Sequence, residues 1–325
     1  MTKPNYILLL GAGFSRNWGG WLASEVFEYL LGSPLINDAV RELLWRHKDQ
    51  GFEAALGVLQ READSVKSEP RLQMLLTALS QMFSDMNEGF EKLINFEFSQ
   101  DRDRQIKTFL ARFDAIFTLN QDLLLEHHYI GDHGVLASGA RWNSCTSPGL
   151  KLMQGAEHAT NRFAAKWAPE NSFTLQHRSQ PYFKLHGSSN WCDESNNGIL
   201  IVGGVDGDKQ NLINRHRLLN WYFENFETYL GKPNTKLMII GYSFSDNHIN
   251  NILKNYAKPG GLKLFIIDPL GVDVMNRNRE NALIPAKSSE LRLFEPYIIG
   301  ASRRQLTQIF SGDEVEFRKI MLFFK

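Results

Sequence analysis

Short runs of apolar residues alternate along this chain with longer stretches in which apolar residues recur at helical spacing. Such runs are typical of strands that are buried on both faces, as in a parallel sheet. They cover residues 6–10, 113–118, 181–185, 235–240 and 262–267, and a shorter run covers 199–202. Helical spacing predominates over 21–110, 212–230 and 246–256. The alternation predicts an α/β fold built on a Rossmann-like, doubly wound parallel sheet.

Two segments between the predicted strands are longer than a simple crossover requires. Residues 21–110 have almost no strand character, and we interpret them as a helical insertion or subdomain. Residues 131–180 are polar and lack a sustained period, so we expect a loop-rich insertion with short elements that cover a pocket. We expect a single domain over 1–325 with its core at about 4–20, 111–130 and 181–270. The tail beyond residue 285 has mixed elements and is not assigned to the sheet.

Polar motifs follow the predicted strands at the points where those strands end. They are the turn Gly11–Ser15, the segment Asn120–Asp122, the pair His186–Gly187, the turn Gly241–Ser243, and Asp268. In parallel α/β sheets ligands bind beyond the carboxyl ends of the strands. We therefore expect these motifs to converge on one edge of the sheet and to form a single site.

The first of these motifs is a glycine turn of the kind that binds nucleotide phosphates. Gly11 and Gly13 lack a Cβ, so the backbone there can adopt positive φ and approach a pyrophosphate. The dinucleotide fingerprint also needs a third glycine and an acidic residue about 20 positions later. Here Gly19 and Gly20 are off that spacing, and the turn alone also fits a tight bend without a ligand.

Composition limits the classes of protein to which the chain can belong. Lysine plus arginine and aspartate plus glutamate number 36 each, which gives no overall field toward nucleic acid or an anionic membrane. No signal peptide and no apolar run near the ~20 residues of a membrane span are visible, so a cytoplasmic location is expected. The two cysteines, Cys145 and Cys192, are too few for a four-thiolate zinc site.

The order of the motifs GAGFS, TLNQD, KLHG, GYS and IIDP resembles the sirtuin superfamily over the nucleotide core, about half of the chain. The resemblance implies an NAD-binding site. Within the superfamily, GYSFSDNHIN and TLNQDLLLE resemble the bacterial sirtuin-like effectors of phage defence, which consume NAD⁺.

The resemblance also implies roles for individual residues. Gly11, Ala12, Gly13 and Ser15 would hold the NAD phosphates, Asn120 and Asp122 would face the nicotinamide and its ribose, His186 would be the catalytic histidine, Gly241 and Ser243 would line the phosphate and adenosine-ribose path, and Asp268 would accept a ribose hydroxyl. Two features of sirtuin deacylases are absent, the four-cysteine zinc ribbon and the Pro-Asp-Phe-Arg run of the cofactor loop. Their absence argues against acyl-lysine chemistry, and no metal is expected.

Each candidate side chain also has a purely structural interpretation. His186 could be held at a strand end, Asn120 could form an Asx turn, and Asp122 could cap the following helix. Ser245 or Asp246 is expected to be the N-cap of the next helix, and neither Asp246 nor His248 is expected to be catalytic. The remaining histidine cluster, His127, His128 and His133, has no further ligand types at metal-binding spacing, which favours solvated helix-end histidines.

The combined expectation is an NAD⁺ hydrolase that releases nicotinamide and ADP-ribose. Cleavage of this bond passes through an oxocarbenium-like state, and His186, with an ordinary pKa of roughly 6.5, could accept a proton near pH 7. The alternatives are a non-catalytic subunit that binds NAD or ADP-ribose and, less favoured, a deacylase. The resemblance implies an antiphage effector that works as a homo-oligomer with a separate partner, a HerA-type ATPase or a short Argonaute. Direct contact with nucleic acid or membrane is not expected, and 21–110 is the expected interface.

Overall fold

The structure is a computed structural model, and it describes residues 4–65, 70–131, 142–154, 163–193, 197–200, 206–258, 261–279 and 292–325. Its centre is a sheet of seven strands, all of which pair in parallel. A smaller sheet of four strands lies beside it. The predicted doubly wound, Rossmann-like α/β fold is thus confirmed.

The strands of the described residues are β1 (Asn5–Leu10), β2 (Ala115–Thr118), β3 (Ser144–Thr146), β4 (Leu150–Leu152), β5 (Trp167–Pro169), β6 (Ser179–Lys184), β7 (Gly187–Cys192), β8 (Gly198–Leu200), β9 (Thr235–Ile240), β10 (Lys263–Ile267) and β11 (Ile298–Ser302). The α-helices of the same residues are α1 (Ala12–Ser15), α2 (Ala23–Gly32), α3 (Asp38–Arg46), α4 (Phe52–Ser65), α5 (Pro70–Glu91), α6 (Ile106–Leu110), α7 (Leu124–His128), α8 (Asp206–Asn214), α9 (Arg217–Leu230), α10 (Asn247–Tyr256), α11 (Leu306–Ser311) and α12 (Glu314–Met321).

The strand order places β1 in the middle of the central sheet. On one side of it lie β2, β6 and β3, and on the other side lie β9, β10 and β11. The chain thus reverses its direction of winding between β1 and β9, which pair along their whole length. In open parallel sheets such a reversal opens a crevice at the carboxyl ends of the two strands, where ligands bind.

Both faces of the central sheet are buried, which explains the unbroken apolar runs. Leu8 and Leu10 face a cluster formed with helices α2 to α7 and the last two helices, whereas Ile7 and Leu9 face a cluster formed with α8, α9 and α10. All four side chains are fully buried. Burial of such a side chain stabilises the fold by about 1.5–3 kcal/mol. An alternating apolar and polar pattern would have left one face in water.

The segment 21–110 is helical, as predicted, and covers one face of the sheet. Its longest helix, α5, buries Leu75, Leu79, Met82 and Met86 along one stripe. Apolar residues three and four positions apart lie on the same side of a helix, and this spacing is the signal by which the sequence predicts it. None of the helices in the described part of the chain combines the length and apolar character needed to cross a lipid bilayer.

The short strands are the elements that sequence reasoning placed least well. Within 131–180, β3 extends the central sheet beside β6, while β4 and β5 join β7 and β8 in the smaller sheet. Parts of that segment, 132–141 and 155–162, lie outside the described residues. The predicted strand at 199–202 corresponds to β8, which is described only to Leu200. The tail, unassigned from the sequence, supplies β11 as an edge strand parallel to β10.

Candidate active site

The segments that follow β1, β2, β6, β9 and β10 meet at one edge of the central sheet, as the sequence predicts. Backbone hydrogen bonds continue the strand pairing into these segments. Leu119 N–H donates to the carbonyl of Leu10 over 2.9 Å, and Gly11 N–H donates to the carbonyl of Ile240 over 3.0 Å. The candidate residues are therefore held by the sheet itself.

The glycine turn after β1 packs against the turn after β9. A Cβ on Gly11 would lie 2.5 Å from the carbonyl oxygen of Gly241, and one on Gly13 would lie 2.7 Å from the Cα of Gly241. The expectation that Gly11 and Gly13 use positive φ is wrong, because Gly11 is extended, with φ −113°, and Gly13 lies within α1. The positive φ belongs to Gly241, at 64°. The glycines thus permit close contact between two loops.

Ser15, Asn120 and Asp122 form one hydrogen-bonded group. The Ser15 hydroxyl donates to Asp122 Oδ2 over 2.8 Å and accepts from Asn120 Nδ2 over 3.0 Å. Ser15 and Asp122 are buried, and Asn120 is half-buried. The structure therefore brings together two motifs that lie more than 100 residues apart in the chain. Ala12, next to this group, is exposed at the start of α1.

Asp122 also supports the helix that follows it, although the N-cap position of α7 is Leu123. Its Oδ1 accepts from the N–H of Leu124, at the first residue of α7, over 3.1 Å. The Asn120 side chain donates to Ser15, and the Asn120 N–H donates to Thr118 Oγ1 over 3.0 Å. Both oxygens of Asp122 thus have protein donors, which makes this residue a support for Ser15 and for α7.

A buried ion pair lies directly beneath this loop. Lys184 Nζ lies 2.7 Å from Glu126 Oε1 and donates to the backbone carbonyl of Asp122 over 2.5 Å. The side chains of Lys184 and Glu126 are 0% and 5% exposed. Burial raises the pKa of Glu126, and the Lys184 charge opposes this shift. Sequence reasoning assigned no role to the lysine of KLHG, although a charge inside an apolar run is the signal that marks it.

His186 follows β6 and meets a histidine of α10. Its Nε2 lies 2.8 Å from Nε2 of His248, and both rings are buried. Burial lowers the pKa of His186 to about 3. The imidazole is therefore uncharged near pH 7 and a weaker base than an ordinary histidine, for which the sequence argument assumed a pKa of roughly 6.5. His248, which was not expected to be catalytic, is its direct neighbour.

Of the two predicted N-cap residues, Ser245 and Asp246, it is Asp246 that occupies the N-cap of α10, but its side chain makes no capping hydrogen bond. Instead Asp246 Oδ1 accepts from Lys209 Nζ of α8 over 2.9 Å, and Lys209 lies 2.7 Å from Glu53 Oε2 of α4. Burial works against the Lys209 charge, but the Glu53 and Asp246 carboxylates raise its pKa above the ordinary value. The ion pair thus connects the helical segment to the residues around His186.

The turn after β9 has a strained backbone. Besides Gly241, the buried residue Phe244 has a positive φ, of 55°. The loop is held by Tyr242, whose hydroxyl lies 3.0 Å from Asn250 Oδ1 on α10, and by Asn250 Nδ2, which donates to the carbonyl of Phe244 over 2.8 Å. Positive φ is an outlier for a bulky residue and persists only where the surroundings fix it. Ser243 lies in this loop, 2.8 Å from Ser245 through their hydroxyls.

Asp268 ends β10 at the same edge of the sheet. Its Oδ1 accepts from the N–H of Leu270 over 2.8 Å, which forms an Asx turn, and its own N–H donates to the carbonyl of Ser302 in β11. The side chain is half-buried. The position fits the expected contact with a ribose hydroxyl, and that contact stays a prediction.

Asn87 of α5 reaches the site from the helical segment, which sequence reasoning did not anticipate. Asn87 Oδ1 accepts from the N–H of Leu123 over 2.8 Å, and Asn87 Nδ2 donates to the hydroxyl of Ser189 in β7 over 3.0 Å. One amide therefore joins the segment after β2 to the strand after His186. An asparagine in the middle of a long amphipathic helix is the available signal.

The histidines expected to be solvated are in fact half-buried. His128 Nε2 lies 2.8 Å from the carbonyl oxygen of Phe90, and its ring stacks on Phe96 with centroids 5.1 Å apart. Burial lowers the pKa values of His127 and His128. Both residues lie at the end of α7 and are only partly exposed to water, and His133 lies outside the described residues.

A model of the SIR2-like domain matches residues 114–290, which is more than half of the chain. The protein belongs to the SIR2-like family. The match includes Asn120, Asp122 and His186, whereas the glycine turn after β1 precedes it. No curated protein matches the chain significantly.

Membership of the SIR2-like family confirms the sirtuin resemblance at the level of the superfamily. It is a superfamily of NAD-dependent enzymes, and SIR2-like domains use NAD⁺ as a substrate. The donors gathered at the sheet edge, a hydroxyl, a carboxamide and an uncharged imidazole, suit a ligand with a ribose and a carboxamide. They lie beside the reversal point between β1 and β9, where parallel sheets bind nucleotides.

Proposed function

We propose that this SIR2-like protein hydrolyses the nicotinamide–ribose bond of NAD⁺ and releases nicotinamide and ADP-ribose. The observation that carries the proposal is the position of the family's motif residues. Asn120, Asp122 and His186 fall inside the SIR2-like match, at the sheet edge where the glycine turn packs against the turn after β9. A redox enzyme would need the dinucleotide fingerprint that the turn lacks.

Positive charge develops on the ribose as the bond to nicotinamide breaks. A cationic histidine would repel that charge, whereas burial keeps His186 neutral. The uncharged His186 can accept a hydrogen bond from a water molecule or a ribose hydroxyl, and Asn120 can orient the same group through its carboxamide. Ser15 and Asp122 fix the position of Asn120 through their shared hydrogen bonds.

Incubation of the purified protein with NAD⁺, followed by chromatography of the products, tests the proposal. Wild type should release nicotinamide and ADP-ribose in equal amounts, and His186→Ala should lower the rate by about 10²–10⁴-fold. His177→Gln, which replaces an exposed histidine, is the matched control and should behave as wild type. If neither wild type nor any variant consumes NAD⁺, even with the product of a neighbouring gene added, hydrolysis is refuted. Binding of NAD⁺ without consumption would favour the regulatory-subunit alternative.

The biological role and the partners are part of the proposal and rest on the sequence resemblance. An unregulated enzyme of this kind would deplete the NAD⁺ of its own cell, so we propose control by assembly. The expected form is a homo-oligomer with a HerA-type ATPase or a short Argonaute, in an antiphage response. Light scattering after size exclusion, alone and with the candidate partner, tests this point, and a monomer in both samples would contradict it.

A further inference from the structure

Two histidines and an aspartate form a compact group at the candidate site. One potential ligand atom from each of His186, Asp246 and His248 lies within 4.8 Å of the others. The rings of His186 and His248 are 5% and 7% exposed. The residues come from two elements that the fold holds rigidly together, the end of β6 and the first turn of α10.

The facing ring nitrogens of the two histidines restrict what can lie between them. Nε2 of His186 and Nε2 of His248 are 2.8 Å apart, so their two lone pairs cannot face each other directly. Either one neutral ring carries its proton on Nε2 and donates it to the other ring, or a metal ion lies between the two nitrogens. The metal solution requires both rings to be neutral with the proton on Nδ1, so that each Nε2 offers a lone pair.

The third residue distinguishes these two solutions. A hydrogen bond between the histidines has no need of a carboxylate, whereas two imidazoles and one carboxylate are the protein ligands of a known class of zinc site, in which a fourth position stays open. Asp246 Oδ1 is bonded to Lys209, which leaves Oδ2 as the oxygen for a metal. Glu53 balances the Lys209 charge, so the cation next to the group is neutralised.

We propose that His186, Asp246 and His248 form a binding site for a divalent transition metal of the zinc type, and that the bound metal inhibits NAD⁺ cleavage. Zinc–nitrogen bonds of roughly 2.0–2.1 Å place two ligand nitrogens of a tetrahedral site about 3.3 Å apart. The two rings thus need to separate by about half an ångström relative to the structure. Once Nε2 of His186 binds the metal, the neutral ring carries its proton on Nδ1, so neither ring nitrogen can accept a hydrogen bond from water or a ribose hydroxyl. The inhibition rests on the proposed function, whereas the metal binding does not.

Metal binding is tested on the full chain after removal of metals by dialysis against a chelator. Zn²⁺ is then titrated in competition with a chromogenic chelator, with Mg²⁺ as a comparison because it prefers oxygen ligands. Wild type and His177→Gln should bind one zinc ion per chain at this site. His248→Gln and Asp246→Asn should bind it more weakly, on the order of tenfold or more. Two separate variants keep the test decisive if one of them fails to fold.

Zinc-edge X-ray absorption separates this site from a site at a cysteine. Nitrogen and oxygen ligands only are expected, whereas a sulfur ligand near 2.3 Å would place the zinc at Cys145 or Cys192 and overturn the assignment. Equal affinity of wild type, His248→Gln and Asp246→Asn for zinc would overturn the assignment as well. The contact between the two rings would then be a hydrogen bond.

Inhibition is measured as nicotinamide release by the wild type with and without saturating Zn²⁺. The rate should fall by about 10²–10⁴-fold, the contribution of a general base, and should recover when a chelator is added. Release that is unchanged while zinc is bound refutes the inhibition. If no NAD⁺ is cleaved under any condition, the proposed function fails, and the titration and the absorption spectrum still decide whether the metal site exists.

Discussion

The contact between the glycine turns after β1 and β9 can be tested with four glycines that differ in two properties. Gly241 has a φ of 64°, and its Cβ would lie 2.5 Å from the Cα of Gly13. Gly13 has no positive φ, but its Cβ would lie 2.7 Å from the Cα of Gly241. Gly19 has a φ of 88° with nothing within 4 Å, and Gly32 has neither feature. Alanine at each position therefore separates backbone strain from steric conflict.

The expected losses in the free energy of unfolding follow from these two properties. Left-handed backbone costs an alanine about 1–2 kcal/mol, the loss expected for Gly19→Ala. Overpacking costs about 1–3 kcal/mol, the loss expected for Gly13→Ala. Gly241→Ala combines both, about 2–5 kcal/mol. Gly32→Ala should gain up to about 1 kcal/mol, because alanine favours a helix. The lower entropy of the unfolded chain reduces each loss by about 0.4–1 kcal/mol.

Urea denaturation followed by circular dichroism measures the four stabilities, and nicotinamide release measures the site. Gly13→Ala and Gly241→Ala should lose activity, whereas Gly32→Ala should retain it. A Gly241→Ala protein no less stable than Gly19→Ala would refute the reasoning, because the steric conflict would then contribute nothing. So would a Gly13→Ala protein as stable as Gly32→Ala.

Three further predictions concern side chains around the site. Lys184→Met leaves the buried Glu126 carboxylate without its cation and should lower the free energy of unfolding, measured by urea denaturation, by about 3–5 kcal/mol. The double variant Lys184→Met/Glu126→Leu should recover most of this loss. A double variant no more stable than the single one contradicts the reasoning. Asn87→Ala should cost about 1–3 kcal/mol, because it leaves the Leu123 N–H and the half-buried Ser189 hydroxyl without this partner. Gln73→Ala on the exposed face of the same helix should be neutral, and equal melting curves of the two variants refute the bridging role. Ser15→Ala should lower kcat/KM for NAD⁺ by up to about 10²-fold and the free energy of unfolding by about 1–3 kcal/mol, because the buried Asp122 carboxylate loses a donor. Unchanged kinetics would show that the hydrogen bonds of Ser15 do not position the site.

The central strands could be predicted because their physical signal is strong. Residues 6–10 and 235–240 are unbroken apolar runs, and only burial on both faces favours such runs. The convergence of Ser15, Asn120 and His186 on one edge then follows from parallel pairing alone. The roles of these residues, and the division of the chain into core and insertions, stay predictions.

The elements that sequence reasoning missed carry a weak or non-local signal. The strand β7 is rich in polar residues because it lies in the smaller sheet beside the site, so it has no apolar run. The pairing of His186 with His248 joins residues 62 positions apart, and no spacing rule connects them. The sequence limited the N-cap of α10 to Ser245 or Asp246, but the contact of the Asp246 side chain with Lys209 depends on how α8 packs.

The central position of β1 has a consequence for the autonomy of the family region. The SIR2-like match begins at residue 114, so the strand that pairs with both β2 and β9 lies outside it. A fragment limited to 114–290 would expose the facing edges of β2 and β9, and open apolar edges favour aggregation. We therefore expect that residues 114–290 do not fold independently of β1, and that fusions or transplants of this region need the first strand as well.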